Sequence, residues 1–419
     1  EKTSNVLVRD DVAQPPRWGI FTTSGLQRAI LDGRPLDRLP VGELASWELI
    51  TVRPDDQVGE ALVLMQRHGV HRVVVQDDGK ILGLLESLDL FGFLSNHSML
   101  IDRRLRAATD LDALARAAAQ MNDMIRRQYR GGTRVELLAR LVQDLNGRLF
   151  EQAWQLIAPP ELVQNSCLLV MGSEGRGEQL LKTDQDNALL LRDGYVPPDD
   201  LPAICARFSE ALARFGYPPC PGNVMLSNAT WRGTVQDFAR RVRKWLVLPE
   251  ADSLINLAVF MDAHAVCGDA ELLASLRRQV FGMLADDDAM MSRFAAVVDA
   301  FGDGTRWWRR MLGGGEANLN VKKAGMFPLV HGVRSMALAE RIDATSTEAR
   351  IRALQEAGAL DAETAQELTE SLHFFMGLRL KAGLDEMDRG QPVSGKVDLA
   401  GLTPLERDLL KDALAAVRR

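Results

Sequence analysis

The stretch GSEGRGEQLLKTDQDNALLL, Gly172 to Leu191, directly follows the apolar run CLLVM, Cys167 to Met171. CLLVM and NALLL read as two buried strands, and the polar insertion between them needs a chemical reason. Asp184 and Asp186 are separated by one residue just before NALLL. In an extended chain, side chains at i and i+2 point the same way. Two carboxylates facing one point repel each other unless a cation sits between them, and oxygen-only ligation favours magnesium or manganese. Gly172 and Ser173 stand at a strand-to-helix junction, where backbone N–H groups and the helix dipole favour phosphate. Glycine lets the backbone approach closely, and Arg176 adds a cationic donor on the same side. A phosphate cradle and a carboxylate pair are the parts needed to hold a nucleoside triphosphate and its metals. Taken singly, each piece has a plainer reading: an ordinary turn, a solvated strand end, a solvated helix face of Glu174, Arg176 and Glu178. Their order between two apolar strands favours the phosphate–metal reading.

Around this stretch lie 419 residues, too many for one core, so several domains are expected. With 46% hydrophobic and 26% charged residues the composition is that of an ordinary globular protein. A net charge of -7 argues against a broad nucleic-acid-binding face. Cys167, Cys205, Cys220 and Cys267 form no CxxC pair, which suits a reducing cytoplasm better than a zinc site or a disulfide framework. No apolar run is long enough to span a bilayer, so no membrane partner is expected. The chain opens on EKTSNVLVRDD without an initiating Met, which suggests that it begins inside a domain.

Toward the N-terminus, residues 1–97 alternate short strands and helices. NVLVRD and RWGIF read as strands and SGLQRAIL as a helix. The longer segment ELITVRPDDQVGEALVLMQRHGVHRVVVQDDGKILGLLESLDLFGFL reads strand, helix, strand, strand, helix, with Asp77-Asp78-Gly79 as the hairpin turn. The first segment repeats the last three elements of the second, with Gly19 matching Gly83. Residues 98–160 read as helical connector, interrupted at Gly131-Gly132, with Leu137, Leu138, Leu141, Leu145 and Leu149 on one face. Over 161–251 the pattern is strand, turn, short helix, strand, long helix, strand, helix, with NVMLSN as the later strand and Gly216 ending the long helix. Residues 252–419 read as nearly all helix. Asp361 opens one helix, Thr403-Pro404-Leu405-Glu406 opens another, and LTESLHFFMGLRLKAGL carries an apolar face suited to a bundle.

These motifs carry a family resemblance. The N-terminal repeat resembles a tandem CBS-domain pair whose first copy is incomplete. That family holds adenine nucleotides between its copies through a Thr or Ser and an Asp near the start of each last helix. Thr22 fits the first copy, whose Asp position is Gly25; Asp89 fits the second, whose hydroxyl position is Glu86. GSEGRGEQLLKTDQDNALLL resembles the signature of CBS-domain-containing bacterial nucleotidyltransferases, related to protein-PII uridylyltransferases within the polymerase-beta-like superfamily. CPGNVMLSNATWRGT, FMDAHAVCGDAELL, NLNVKKAGMFPLVHGVRSMALAERI and LTPLERDLLKDAL extend the resemblance over essentially the whole chain.

The resemblance implies an α/β and α multidomain architecture. It comprises a partial CBS pair (1–97), a helical connector (98–160), a polymerase-beta-like core with a mixed sheet (161–251) and a helical, substrate-binding-like bundle (252–419). It implies that Gly172 and Ser173 contact the triphosphate, that Asp184 and Asp186 bind magnesium or manganese, and that Arg176, Glu178 and Gln179 shape the pocket. Lys322, Lys323 and Arg334 would contact base, phosphate or acceptor, or else form a solvated helix face. CBS pairs associate face to face, which implies a homodimer. One departure stands out. The superfamily places a third carboxylate on a later strand, and Cys220 to Asn228 contains no acid; Asn223 and Asn228 cannot act as general bases near neutral pH. Asp237 and Asp262 are the next acids. No His-Asp dipeptide is present, so a metal-dependent hydrolase of the uridylyltransferase type is not evident.

Two functions follow. One is a nucleotidyltransferase that moves a nucleoside monophosphate from a nucleoside triphosphate to a hydroxyl acceptor, with a protein hydroxyl as one candidate, under adenine-nucleotide control. The other is an inactive nucleotide-sensing scaffold that binds a partner protein. Transfer to a tRNA or a small molecule uses the same chemistry; the lack of a basic tract weakens the tRNA case.

Overall fold

The computed structural model describes residues 5–13, 16–32, 35, 38–247, 251–284, 294–295 and 318–418. Two compact units divide the chain: Glu1–Asn96 with Gly131–Thr133, and His97–Arg130 with Arg134–Arg419.

In the first unit, β1 (Asn5–Asp10) pairs antiparallel with β2 (Arg17–Thr22), followed by α1 (Thr23–Asp32) and the short α2 (Val41–Leu44). Then β3 (Thr51–Val52), α3 (Val58–Arg67), β4 (Arg72–Asp77) and β5 (Lys80–Glu86) lead into α4 (Ser87–Arg106), with strand order β3-β4-β5. Asp78 and Gly79 both have positive φ, as a two-residue type I′ hairpin requires. The repeat read in the sequence has a structural counterpart: Gly19 lies opposite Val8, and Gly83 lies opposite Val75. Val52, Ala61, Met65, Val73 and Leu90 form the small core.

In the second unit, α5 (Leu111–Arg130) and α6 (Val135–Ile157) flank the Gly131-Gly132 break, and Pro160 opens α7 (Pro160–Gln164). Leu138, Leu145 and Leu149 of the expected stripe are buried, whereas Leu137 is exposed; Val142 takes its place in the core, as helical periodicity allows. A four-stranded mixed sheet follows, built from β6 (Ser166–Val170), β7 (Asn187–Leu191), β8 (Arg232–Thr234) and β9 (His264–Gly268), in the order β8-β7-β6-β9. Only β7 and β8 are parallel. Successive side chains of β6 and β7 enter opposite cores. Leu168, Val170, Leu189 and Leu191 pack in one, with α6 and α9 (Leu201–Arg214). Cys167, Leu169, Met171, Ala188 and Leu190 pack in the other, with α10 (Val235–Val247), α11 (Ala251–Phe260) and α12 (Ala270–Leu284). Covered on both faces, these strands are apolar throughout.

Two expectations need correction. NVMLSN is not a strand. Asn223 adopts positive φ, and the segment meets β7 only through single bonds, Asn187 N to Val224 O (3.0 Å) and Leu226 N to Asn187 Oδ1 (2.9 Å). The pairing strand is β8, a few residues later. The region read as nearly all helix also supplies the edge strand β9. Its last residue, Gly268 (φ +89), lies so close to β6 that a Cβ there would be 2.1 Å from the Ser166 carbonyl oxygen.

Beyond these elements come β10 (Asn318–Leu319), a single π-helical turn (Lys322–Met326), α13 (Phe327–Ala339), α14 (Thr347–Glu356), α15 (Ala362–Asp388), β11 (Val397–Asp398) and α16 (Pro404–Ala416). Asp361 caps α15 by accepting from Thr364 N, and Thr403 with Glu406 forms a reciprocal capping box on α16. Among the described residues, no helix is long and apolar enough to cross a membrane.

Candidate functional site

β6 ends at Val170, and the chain turns at Gly172 with φ +56. A Cβ on Gly172 would lie 2.5 Å from Asp186 Oδ2, so both the backbone conformation and the approach of this carboxylate require glycine. Met171 N donates to Asp186 O at 2.9 Å, tying the end of β6 to the entry of β7. The helix α8 (Gly172–Gly175) is a single turn, too short for the dipole contribution expected from the sequence. Ser173 Oγ donates to Gln179 Oε1 at 3.1 Å.

Asp184 and Asp186 precede β7, with Gln185 between them pointing elsewhere: its Nε2 donates to the Ser209 and Tyr217 carbonyls, each at 3.1 Å. A third group joins the two carboxylates. One donor atom each from Asp184, Asp186 and Cys220 lie within 4.8 Å of one another. Burial pushes the Asp186 carboxyl up to about 6; a hydrogen bond from Cys220 opposes this, and the charge of Asp184 adds to it. Burial, with Asp186 alongside, pushes the Cys220 thiol up to about 11. Two acids and a thiol brought together in this way fit a divalent cation.

The cavity around them is lined by Gly172, Ser173, Arg176, Asp184 and Asp186 from the core, by Ile255, Ala258, Val259 and Asp262 from α11 and its C-terminal end, and by Lys322, Met326, Phe327, Val330, Arg334 and Arg379 from the helical region. Four of these residues are cationic and three anionic. Lys322 is exposed at its mouth. Lys323 does not line it; its backbone N–H donates to Asn320. Glu178 and Gln179 are buried and line an adjoining smaller cavity instead.

Arg176 and Arg334 reach the cavity already paired. Arg176 donates to Glu178 Oε2 and Asp262 Oδ2, both at 2.6 Å. Arg334 donates from Nε to Asp262 Oδ1 (3.0 Å) and from Nη2 to Asp262 Oδ2 (2.5 Å). Arg350 adds a third guanidinium on Asp262 Oδ1 at 2.8 Å and also donates to Met261 O. Asp262 is fully buried. Burial alone would raise its pKa, but Arg334, Arg176 and Arg350 hold it well below the usual carboxylate range. Glu178 Oε1 accepts from Thr347 N at 2.9 Å, joining the network to α14. Sequence reasoning named Asp262 without a role and missed Arg350, because the partners lie 72, 86 and 88 residues from Asp262 and share no spacing with it.

Glu174, for which a solvated helix face is the plainer reading of the sequence, is buried, and burial pushes its carboxyl up to about 8 against the hydrogen bond from Asn146. Asn146 Oδ1 in turn accepts from Tyr217 OH at 2.6 Å.

Family models match the chain in three places: "Putative nucleotidyltransferase DUF294" over residues 119–252, "Putative nucleotidyltransferase substrate binding domain" over 288–419, and "CBS domain" over 41–96. The three matched domains together fit the CBS-domain-containing nucleotidyltransferase family. Its core match contains Gly172, Asp184, Asp186 and Cys220, and its substrate-binding match contains Lys322, Arg334 and Arg379. An uncharacterized protein of Methanocaldococcus jannaschii is 29% identical over 65 residues, which cover 16% of this chain and 35% of that protein.

In the CBS unit, Thr22 is the last residue of β2 and Glu86 the last of β5, so the two hydroxyl positions are equivalent in the fold. Glu86 accepts from Arg72 Nε at 2.9 Å. The Asp89 side chain lies outside the described residues.

Proposed function

We propose that this protein is a nucleotidyltransferase whose reaction centre is the cavity of Asp184 and Asp186. The observation that carries the reading is the convergence of Asp184 and Asp186, with Cys220 close to both, at a cavity that the two aspartates line together with Lys322 and the closely approached Gly172. Asp184 and Asp186, with Cys220 beside them, would hold a magnesium or manganese ion, which when bound neutralises and polarises a triphosphate. Gly172 leaves room for Asp186 to enter the site, and Ser173 presents its hydroxyl and backbone N–H beside it. Lys322 supplies a cationic, mobile donor at the entrance. An acceptor hydroxyl attacks the α-phosphorus; the bond to the bridging oxygen breaks, pyrophosphate leaves, and the hydroxyl proton passes to water. The acceptor would be a hydroxyl on a protein, as the uridylyltransferase resemblance suggests. Adenine nucleotide at the CBS pair, in a homodimer, would bias the transferase between conformations by binding one of them more tightly.

One observation favours the scaffold reading. The third group beside the two aspartates is a thiol held protonated at neutral pH, and Asp262 is occupied by three arginines. Beyond the two aspartates, no free carboxylate or imidazole remains among the described residues lining the cavity to take the acceptor proton.

The deciding experiment measures binding of each nucleoside triphosphate to the wild type and to Asp184→Asn/Asp186→Asn, with and without magnesium, and follows pyrophosphate release. The expected result is magnesium-dependent binding weakened on the order of 100-fold in the variant, as loss of several kcal/mol of metal-mediated charge stabilisation implies. Binding indifferent to both metal and substitution overturns the site assignment. Binding without pyrophosphate release in the presence of candidate acceptor proteins favours the scaffold.

A further inference from the structure

We propose that Arg379, on the long helix α15, is the phosphate-binding guanidinium of the cavity and takes the polyphosphate tail of a metal-complexed nucleotide. The inference rests on the reading of Asp184 and Asp186 as a cation site.

Arg379 differs from every other arginine in the cavity. Arg176 and Arg334 are both committed to Asp262. Arg379 makes no ion pair among the described residues. Its Nε is buried with no hydrogen-bond partner, and Nη1 donates only to the Met326 thioether, a weak acceptor, at 3.3 Å. The side chain lines the aspartate cavity and also the adjoining cavity of Ser173, Gln179, Thr183 and Gly395, so it stands where the two meet. A guanidinium whose Nε is buried without an acceptor, and which Asp184 and Glu178 balance only at longer range, is costly to keep. A fold retains one where a ligand supplies the missing acceptors, and the planar fork of guanidinium donors matches phosphate oxygens.

The neighbours define the ligand further. Asp184 and Asp186 line the same cavity and would repel a bare anion. An anion that brings its own divalent cation satisfies both sides at once: the cation goes to the carboxylates and the phosphate oxygens to Arg379. The ligand class is therefore a metal–polyphosphate complex, held jointly by the core and the helical region. α15 contributes this contact to a site whose paired aspartates lie about two hundred residues earlier, consistent with long-range assembly of functional constellations.

The test titrates the whole chain with magnesium tripolyphosphate, with tripolyphosphate in excess chelator, and with the four magnesium nucleoside triphosphates, using wild type, Arg379→Lys and Arg379→Met. Thermal unfolding of the ligand-free proteins is measured in parallel. The expected result is that wild type binds magnesium tripolyphosphate and loses it when magnesium is removed. Arg379→Met weakens binding at least tenfold, Arg379→Lys recovers part of it, and the ligand-free unfolding midpoint of Arg379→Met is equal to or above that of wild type. If Arg379→Met binds the nucleotides as wild type does, the inference is overturned and the cation-site reading stands. If its midpoint falls by several degrees together with binding, Arg379 is a packing residue and the inference is overturned. If wild type binds neither tripolyphosphate nor any nucleotide with magnesium, both fail together.

Discussion

One cavity holds two kinds of acid. Asp262 is completely buried, yet three guanidiniums and a full set of hydrogen bonds compensate its charge. Asp184 and Asp186 are half-buried and stand beside each other and a thiol, with the charges of Lys322 and Arg176 acting on Asp186 only at longer range. The opposite pKa directions record the difference: arginines hold Asp262 down against its burial, whereas burial and a like charge push Asp186 up. Satisfied charge makes a rigid wall, joining the end of α11 to the turn after β6, to α13 and to α14. Unsatisfied charge makes a site, because only a ligand can complete it. Arg379 belongs to the second kind, by the same reasoning with the sign reversed.

The contrast can be broken first at Asp262. Asp262→Asn leaves three buried guanidiniums without their counter-charge and should cost about 3–5 kcal/mol in chemical unfolding at pH 7. The folded-state pKa of Asp262 lies below its unfolded value near 3.9, so its contribution is present above that pH and is lost as pH falls toward the folded pKa. The gap between wild type and variant should therefore narrow below about pH 4. A loss under about 1 kcal/mol at pH 7 would mean that the cluster is not the structural element described here.

A smaller effect is expected at Gly172, where the two kinds of charge meet the backbone. Gly172→Ala combines positive φ with a Cβ aimed at Asp186 Oδ2, and should cost about 1–3 kcal/mol. It should also weaken magnesium-dependent nucleotide binding, since the carboxylate must move. Unchanged binding in a destabilised variant would separate the glycine from the site. The smallest effect is expected at Lys323, exposed and outside the cavity: Lys323→Ala should change stability by less than about 0.5 kcal/mol and leave nucleotide affinity as it was. A marked loss of affinity there would extend the binding surface beyond the cavity.

Features encoded by near neighbours in the chain were legible in advance. The Asp184–Asp186 pair needs only one-residue spacing, the hairpin at Asp78-Gly79 only its turn residues, and the α16 capping box only Thr403 and Glu406. The unbroken apolar runs of β6 and β7 follow from burial on both faces. NVMLSN misled because an apolar run of strand length does not say whether its backbone bonds are made to a neighbour or to local turns. β9 was missed because HAVCG is too short to declare its period, and its strand character depends on β6. Arg379 was hidden in plain view: within LTESLHFFMGLRLKAGL it reads as the polar flank of a bundle helix.

The sequence alone thus determined the capped helices, the repeat, the strands β6 and β7 and the pair of acids, because each depends on the short-range periodicity of the backbone. Tertiary structure alone decided which charges cancel. Whether an arginine is a strut or a ligand-binding group depends on which carboxylate lies within hydrogen-bond reach and how much water remains, and those neighbours come from residues dozens to hundreds of positions away.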